Sequence, residues 1–152
     1  FRVISLGDQI EGDSRKVALN HAAQFRQYIA GDPTLPLVMF SGGETTVTVR
    51  GRGRGGPNRE FHLALALELD ADPTIWALAG DTDGIDGSDD DAGDVISPDA
   101  LQRAALLDVD AADALEKNNV GQFFYAIGDN LTTGPTRTNV NDFRVLLYQP
   151  DT

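Results

Sequence analysis

Hydrophobic and polar positions along the chain follow two different periods. Short apolar runs cover residues 2–6, 35–40, 74–79 and 143–148, and each is bounded by glycine, proline or polar residues, which is typical of buried strands. Between these runs, apolar positions recur at the three- and four-residue spacing of amphipathic helices. Strands that alternate with helices predict an α/β layered domain, with a mixed β-sheet flanked by helices.

The helical spacing predicts five helices, and Asn58 is expected to cap the second of them. They cover residues 13–30, 58–69, 97–107, 111–117 and 122–127.

Gly42 and Gly43 separate two predicted strands. The segment 45–50 alternates β-branched residues and follows the apolar run 35–40, so the two glycines are expected to form a tight turn between antiparallel strands. Such a hairpin favours a mixed sheet over a purely parallel one.

Composition narrows the classes of function. The chain has 152 residues, enough for one domain with a core, and its 24 acidic against 12 basic side chains give a net charge of −12. A charge of that size and sign argues against nucleic acid or an anionic membrane as partners. The absence of cysteine excludes disulfides and thiol chemistry. We expect a cytoplasmic portion of a longer protein, since the chain begins at Phe1 without methionine.

A loop rich in glycine and arginine leads into the predicted helix at 58–69. Its glycines permit close approach to a ligand, and Arg50, Arg52 and Arg54 supply positive charge, so the loop predicts a bound phosphate or carboxylate. Gly51-x-Gly53-x-x-Gly56 formally matches the dinucleotide fingerprint, but the expected acidic residue does not follow at the right spacing. The alternative is a glycine-rich turn without a ligand.

The second polar loop follows the predicted strand at 74–79. Asp81, Asp83 and Asp86 lie among glycines, and closely spaced carboxylates suit Mg²⁺, which takes one or two of them together with substrate phosphates. Ile85 and Asp86 break the spacing of a calcium-binding loop. The alternative is an aspartate-rich turn that hydrogen-bonds its own backbone.

The third polar loop covers residues 134–142 and precedes the last strand. It contains hydroxyls, amides and one arginine. Such a loop can bind an anion through its backbone N–H groups, or it can bond only to itself on the surface.

Four ordered motifs, Ser41–Gly51, Gly55–Phe61, Thr82–Gly87 and Gly134–Asp142, resemble the MOFRL domain. This domain is the C-terminal part of the glycerate 2-kinase family, whose members are often labelled hydroxypyruvate reductases. The resemblance covers essentially the whole chain, so residues 1–152 are expected to be a single MOFRL-like domain. It implies an ATP- and Mg²⁺-dependent kinase that phosphorylates the 2-hydroxyl of glycerate. A larger N-terminal kinase domain would face this domain across the active-site cleft.

The resemblance and the loop composition together predict individual roles. Pro57 departs from the family, because many members have arginine there, and Arg54 or Arg59 is the candidate replacement. The predicted catalytic residues are Arg54, Asn58 and Glu60; the substrate-binding residues are Ser41, Gly42, Gly43, Glu44, Arg52, Thr136, Thr138 and Asn139; the metal-binding residues are Asp83 and Asp86.

Two alternatives to the kinase remain open from the sequence. One is an NAD(P)-dependent hydroxypyruvate reductase that binds the cofactor's pyrophosphate on the glycine loop. The other is a non-catalytic domain whose loops bind a partner domain or form a homodimer. If the kinase hypothesis holds, these 152 residues alone are expected to be inactive, because half of the cleft is absent.

Overall fold

The computed structural model describes residues 1–70 and 72–150 and confirms the predicted α/β layered domain with a mixed sheet. Within these residues there are seven strands and five helices. The strands are β1 (Arg2–Ser5), β2 (Ile10–Asp13), β3 (Leu37–Thr46), β4 (Ile75–Asp81), β5 (Gly93–Ile96), β6 (Asn130–Leu131) and β7 (Asp142–Tyr148). The helices are α1 (Ser14–Gly31), α2 (Pro57–Glu68), α3 (Ala100–Leu106), α4 (Ala111–Glu116) and α5 (Val120–Ile127).

The strands form one sheet in the order β1-β3-β7-β4-β5-β6, and β2 also pairs with β3. β1 and β2 run parallel to β3, whereas β7 lies antiparallel between β3 and β4. The last strand in the sequence therefore occupies the middle of the sheet. Because β7 is antiparallel, its first residue lies beside the carboxyl ends of β3 and β4, and the loops at these three ends meet at one edge.

The hairpin predicted at Gly42 and Gly43 is wrong. β3 is a single strand of ten residues that passes through both glycines. Gly43 has a φ of +120°, and a Cβ there would clash with the backbone of Ile10 in β2. The glycines therefore allow β2 to approach β3 closely. The sheet is mixed for a different reason, namely the insertion of β7.

The helices pack on one face of the sheet, where alternate residues of β3, β4 and β7 are buried against α1 and α2. The largest apolar side chains of this core are Phe25, Leu37, Met39, Phe61, Leu63, Leu65, Phe123, Phe124 and Leu146. No helix of the described residues covers the opposite face, which carries half-buried apolar side chains.

Two further details differ from the sequence prediction. Gly56, not Asn58, precedes the first turn of α2, and Pro57 occupies its first position, where its missing N–H costs no hydrogen bond. The strands β2, β5 and β6 were not predicted, since each has at most four residues and contains polar positions. Among the helices of residues 1–70 and 72–150, none has the length and hydropathy required to span a membrane.

Candidate active site

The three loops singled out in the sequence lie next to one another, as predicted. The Ser88 N–H donates to the Gly55 carbonyl at 3.3 Å, which joins the first loop to the second. The Thr136 N–H donates to the Asp83 carbonyl at 3.2 Å, and the Thr136 hydroxyl donates to the Thr82 carbonyl at 2.5 Å. All three loops therefore belong to one edge of the sheet.

The glycine loop does not present its backbone to a ligand. Its N–H groups donate to the turn between α4 and α5: Gly51 N–H reaches the Asn118 side-chain oxygen at 2.8 Å, and Gly53 N–H reaches the Lys117 carbonyl at 3.1 Å. A Cβ at either glycine would clash with Lys117 or Asn119. These glycines therefore serve close packing of the chain on itself, and the expected anion cradle is not formed.

The anion expected at the start of α2 is a carboxylate of the protein. Asp86 accepts from the Asn58 N–H at 3.0 Å and from the Arg59 N–H at 3.1 Å, so it satisfies the free donors of the first helical turn. The Arg59 guanidinium lies 3.2 Å from the same carboxylate, and both side chains are 1 % exposed. Because Asp86 is buried away from the surface and already paired with a buried guanidinium, it does not fit the predicted role of metal ligand.

Asn58 and Glu60, expected to be catalytic, are buried inside the domain. The Asn58 side-chain amide donates to Asp142 at 2.7 Å as well as to Asp86. Glu60 accepts from Arg15 Nε at 2.6 Å and is 2 % exposed, and burial raises the pKa of its carboxyl. Neither side chain is exposed at the surface of this domain, where a ligand would bind. Both hold α2 in place beneath the strand-end loops, so the geometry assigns them a positioning role.

The two arginines expected to bind substrate or phosphate, Arg52 and Arg54, are exposed on the glycine loop. The Arg54 side chain is 73 % exposed and forms an ion pair with Asp89 at 2.7 Å, beside α5. Arg52 is exposed on the same loop. The structure does not place either arginine at the edge where β3, β4 and β7 meet.

An open cleft of about 610 Å³ lies at that edge, and we call it the strand-end cleft. It is lined by Ser5, Gly7, Asp8, Phe40, Ser41, Gly42, Thr82, Val140, Asp142 and Phe143. Of the predicted substrate-binding residues, Ser41 and Gly42 line it. Asp8 and Thr82 also line the cleft and were not assigned from the sequence, although both follow a strand end with a glycine within two residues, which was an available signal.

The remaining predicted substrate-binding residues lie at separate positions near this edge and do not line the cleft. Gly43 is buried beneath β2, and Glu44 is exposed opposite Glu11. Thr138 is exposed, and its carbonyl accepts from the Thr136 hydroxyl at 3.2 Å. The Asn139 amide donates to Asp83 Oδ2 at 3.3 Å, so the third loop is tied directly to the acidic loop.

Two carboxylates beside the strand-end cleft are suited to a cation. Asp81 ends β4 opposite Asp142 in β7, and its Oδ1 accepts from the Asp83 N–H at 3.0 Å. Burial, and then the charges of Asp83 and Asp142, raise the pKa of the Asp81 carboxyl. Residues 1–70 and 72–150 contain no group of three or more acidic or histidine side chains arranged around a metal. A Mg²⁺ ion completed by substrate phosphates needs only one or two carboxylates, and Asp81 with Asp83 fits that requirement.

A row of polar side chains is buried between the sheet and the helices, and of its members only Ser41 was singled out from the sequence. Ser41, Arg144 and Asp94 lie on neighbouring strands, with Ala79 between the last two. Arg144 is fully buried, pairs with Asp142, and donates to the Thr45 hydroxyl at 3.1 Å. The signal was available: Arg144 shares the alternating phase of the apolar core residues in its strand.

Each end of this row carries a buried histidine. His21 Nδ1 donates to the Val17 carbonyl at 2.9 Å, so its Nε2 accepts from the Ser41 hydroxyl at 2.9 Å. His62 forms a hydrogen bond with Asp94, and both side chains are 0 % exposed. Burial lowers the pKa of His21 from 6.5 to about 4, and burial raises the pKa of Asp94 from 3.8 to about 6.

These two groups are expected to act in opposite directions on stability in mild acid. Between pH 6.5 and 4, His21 is protonated in the unfolded chain but not in the folded chain. Acidification over this range therefore lowers the free energy of unfolding by up to about 3 kcal/mol. Between pH 6 and 3.8, Asp94 is protonated in the folded chain before it is protonated in the unfolded chain. Acidification over this range therefore raises the free energy of unfolding by a similar amount. Urea unfolding followed by tryptophan fluorescence from pH 7 to pH 4 should therefore show a steeper loss in Asp94→Asn and a shallower loss in His21→Gln. Equal slopes in both variants would contradict this assignment.

Comparison with known proteins identifies the family of the chain. Residues 37–142 match the MOFRL family. The chain is 45% identical over 148 residues to an Agrobacterium vitis protein with the provisional name hydroxypyruvate reductase, covering 95% of this chain and 38% of that protein. It is 36% identical over 150 residues to the glycerate 2-kinase of Pyrococcus horikoshii, covering 97% of this chain and 34% of that one.

The solved structures give the same result. The glycerate kinase of Thermotoga maritima superposes with a TM-score of 0.91 at 29% identity, over 98% of this chain and 36% of that chain. The chain thus spans about a third of the length of the relatives it matches. On the matched residues and on this superposition, the chain belongs to the MOFRL family.

Proposed function

We propose that this chain supplies one wall of the active site of an ATP-dependent glycerate 2-kinase. The observation that carries the proposal is the strand-end cleft, which lies at the carboxyl ends of β1 and β4, next to the middle of β3, with Asp81 and Asp83 beside it. Ligands of open α/β sheets bind at such ends. Relatives and structural neighbours named glycerate kinase support the choice of reaction.

The proposal assigns different tasks to the residues around the cleft. Gly42, Asp8 and Asn139 would border the substrate, and Thr82 would hold the third loop against the cleft through its hydrogen bond to the Asn141 carbonyl at 2.7 Å. Asp81 and Asp83 would hold Mg²⁺. When bound, Mg²⁺ neutralises charge that develops on the transferred phosphoryl group.

Glycerate and ATP are anions, and the cleft residues of this chain do not match their charge. The lining described above includes Asp8 and Asp142 but neither lysine nor arginine. Phosphoryl transfer depends on positioning and on neutralising charge, so cationic groups must come from outside these residues. We therefore expect the 152-residue chain alone to have no turnover. Kinase activity from this chain would contradict the division of the site.

The reductase is the second candidate, because a relative carries that provisional name. Its sequence basis was the glycine loop, and Gly51 and Gly53 are packed on Lys117 and Asn119, where a pyrophosphate would have to lie. The loop geometry favours the kinase over this alternative.

One experiment separates the two candidates. The full-length protein is incubated with glycerate, ATP and Mg²⁺, and phosphorus NMR is used to detect 2-phosphoglycerate. In parallel, NADH and NADPH oxidation is followed with hydroxypyruvate. We expect the phosphorylated product and no cofactor oxidation. Oxidation without phosphorylated product would reject the kinase.

A further inference from the structure

The face of the sheet opposite the helices, which we call the open face, is apolar and carries no charged side chain over two successive cross-strand rows. The first row is Val3, Val38, Leu147 and Trp76. The second row is Ser5, Phe40, Val145, Leu78 and Val95. In a chain with a net charge of −12, two rows without any charge are distinctive.

The open face exposes large apolar side chains. Val3 is 63 % exposed and Trp76 is 45 % exposed, and a shallow depression of about 250 Å³ lies among Val38, Trp76, Leu78 and neighbouring side chains. Contiguous apolar surface of this kind marks an interaction site in a folded protein.

The open face is continuous with the strand-end cleft. Phe40 and Ser5 belong to its second row and also line the cleft, and Phe143, which is 44 % exposed, lies in the next row toward the strand ends. A body seated on the open face would therefore form the missing side of the cleft. This position is where the proposed function requires groups from outside the chain.

The net charge of this chain and the length of its relatives distinguish between the possible partners of the open face. A second copy would bring another net charge of −12 against the first, and such like-charge repulsion opposes association except at high salt. The matched relatives are about three times as long as this chain, so a full-length protein of the family contains other segments to cover the face. A standard stable interface buries roughly 800 Å² on each side, which a segment of that length can supply.

We propose that the open face is the docking surface for the remaining portion of the full-length protein. That portion presents an apolar surface to Val38, Trp76 and Leu147, and its margin closes the strand-end cleft next to Phe40 and Phe143. The identity of the ligand in the cleft rests on the proposed function. The docking itself rests on the uncharged rows and their continuity with the cleft.

Cysteine protection in the full-length protein tests this docking, since the chain contains no cysteine of its own. Val3→Cys and Trp76→Cys are made in a background whose other cysteines, if any, are replaced by serine. The matched controls lie on the helical side: Leu107→Cys, 55 % exposed, for Val3 at 63 %, and Leu19→Cys, 48 % exposed, for Trp76 at 45 %. The rate of reaction with a small aromatic disulfide reagent is measured, and circular dichroism confirms folding.

We expect each open-face thiol to react at least about ten-fold more slowly than its control, because reaction requires the docked portion to open. A smaller difference overturns the docking. Should Trp76→Cys fail to fold, Val3→Cys on the edge strand still decides. Measurements at about 1 µM and about 100 µM protein separate the occupants: protection that appears only with a dimer at the higher concentration assigns the face to a second copy and also overturns the proposal.

Activity of the parent protein, measured in parallel, keeps the two proposals separate. Protected thiols in a protein without kinase turnover would reject the proposed function and support the docking. Kinase turnover with unprotected thiols would support the proposed function and reject the docking.

Discussion

Replacement of Asp86 by alanine is expected to lower the free energy of unfolding by about 2–4 kcal/mol, among the largest effects of any single substitution in this chain. The carboxylate accepts the Asn58 and Arg59 N–H groups of α2 and pairs with the Arg59 guanidinium. Alanine would leave the buried guanidinium with only the partly exposed carboxylates of Asp89 at 2.9 Å and Asp91 at 3.7 Å, and would remove the cap of the helix. Urea denaturation followed by the single tryptophan, Trp76, measures the loss.

Three further variants separate the causes. Asp90→Ala removes an exposed carboxylate from the same loop and should change stability by no more than about 0.5 kcal/mol. Asp86→Asn keeps an acceptor for the helix and loses the charge, so its cost should fall between those of the other two. Asp86→Ala combined with Arg59→Met should cost less than the sum of the single changes, because the two side chains contact each other and the pair is counted twice in that sum. An Asp86→Ala variant as stable as Asp90→Ala would show that the pair contributes nothing.

The fold class could be predicted because strong local patterns determine it. The long helix α1 and the apolar strands β3, β4 and β7 each have a clear period, and the sequence located all of them. The insertion of β7 between β3 and β4 could not be predicted, since it depends on contacts between residues about 70 and 105 positions apart in the sequence. A hairpin was wrongly predicted at Gly42 and Gly43 because close strand packing and a tight turn both require glycine.

The proximity of the three loops could be predicted from the sequence, but their contacts could not. The sequence identified loops that meet at one edge, yet it assigned the anion site to a loop whose N–H groups are already bonded to Lys117 and Asn118. Composition gives the number of donors and acceptors in a loop but not their partners. The electrostatic argument for an anion at the start of α2 was correct in its physics, and Asp86 is that anion.

In the acidic loop, three carboxylates with similar sequence surroundings have different environments in the structure. Asp86 is 1 % exposed and bound by donors, whereas Asp81 and Asp83 are half-buried beside the strand-end cleft. Asp81 also lies next to Asp142, and the burial and like charge that raise its pKa favour its neutral form. Holding a carboxylate in such surroundings costs stability, and functional sites are where proteins carry that cost.

Asp81→Asn in the full-length protein is therefore expected to have opposite effects on activity and stability. The asparagine side chain retains an acceptor for the Asp83 N–H, so the turn is preserved, and the loss of charge relieves repulsion from Asp83 and Asp142. We expect the urea midpoint at pH 7 to remain the same or rise. If Asp81 helps to hold Mg²⁺, kcat for glycerate phosphorylation should fall on the order of 10² to 10³-fold, as when a single stabilising group is removed from a transition state.

The exposed Asp90→Asn serves as the control, because it removes one carboxylate from the same loop without a contact to the cleft. It should leave both kcat and stability close to those of the parent. The Mg²⁺ dependence supplies a second measurement, since loss of a ligand raises the Mg²⁺ concentration required for half-maximal rate, and a purely structural change does not. If Asp81→Asn unfolds at lower urea and keeps its kcat, Asp81 is a structural residue, and the cation site has to be sought on the segment that covers the strand-end cleft.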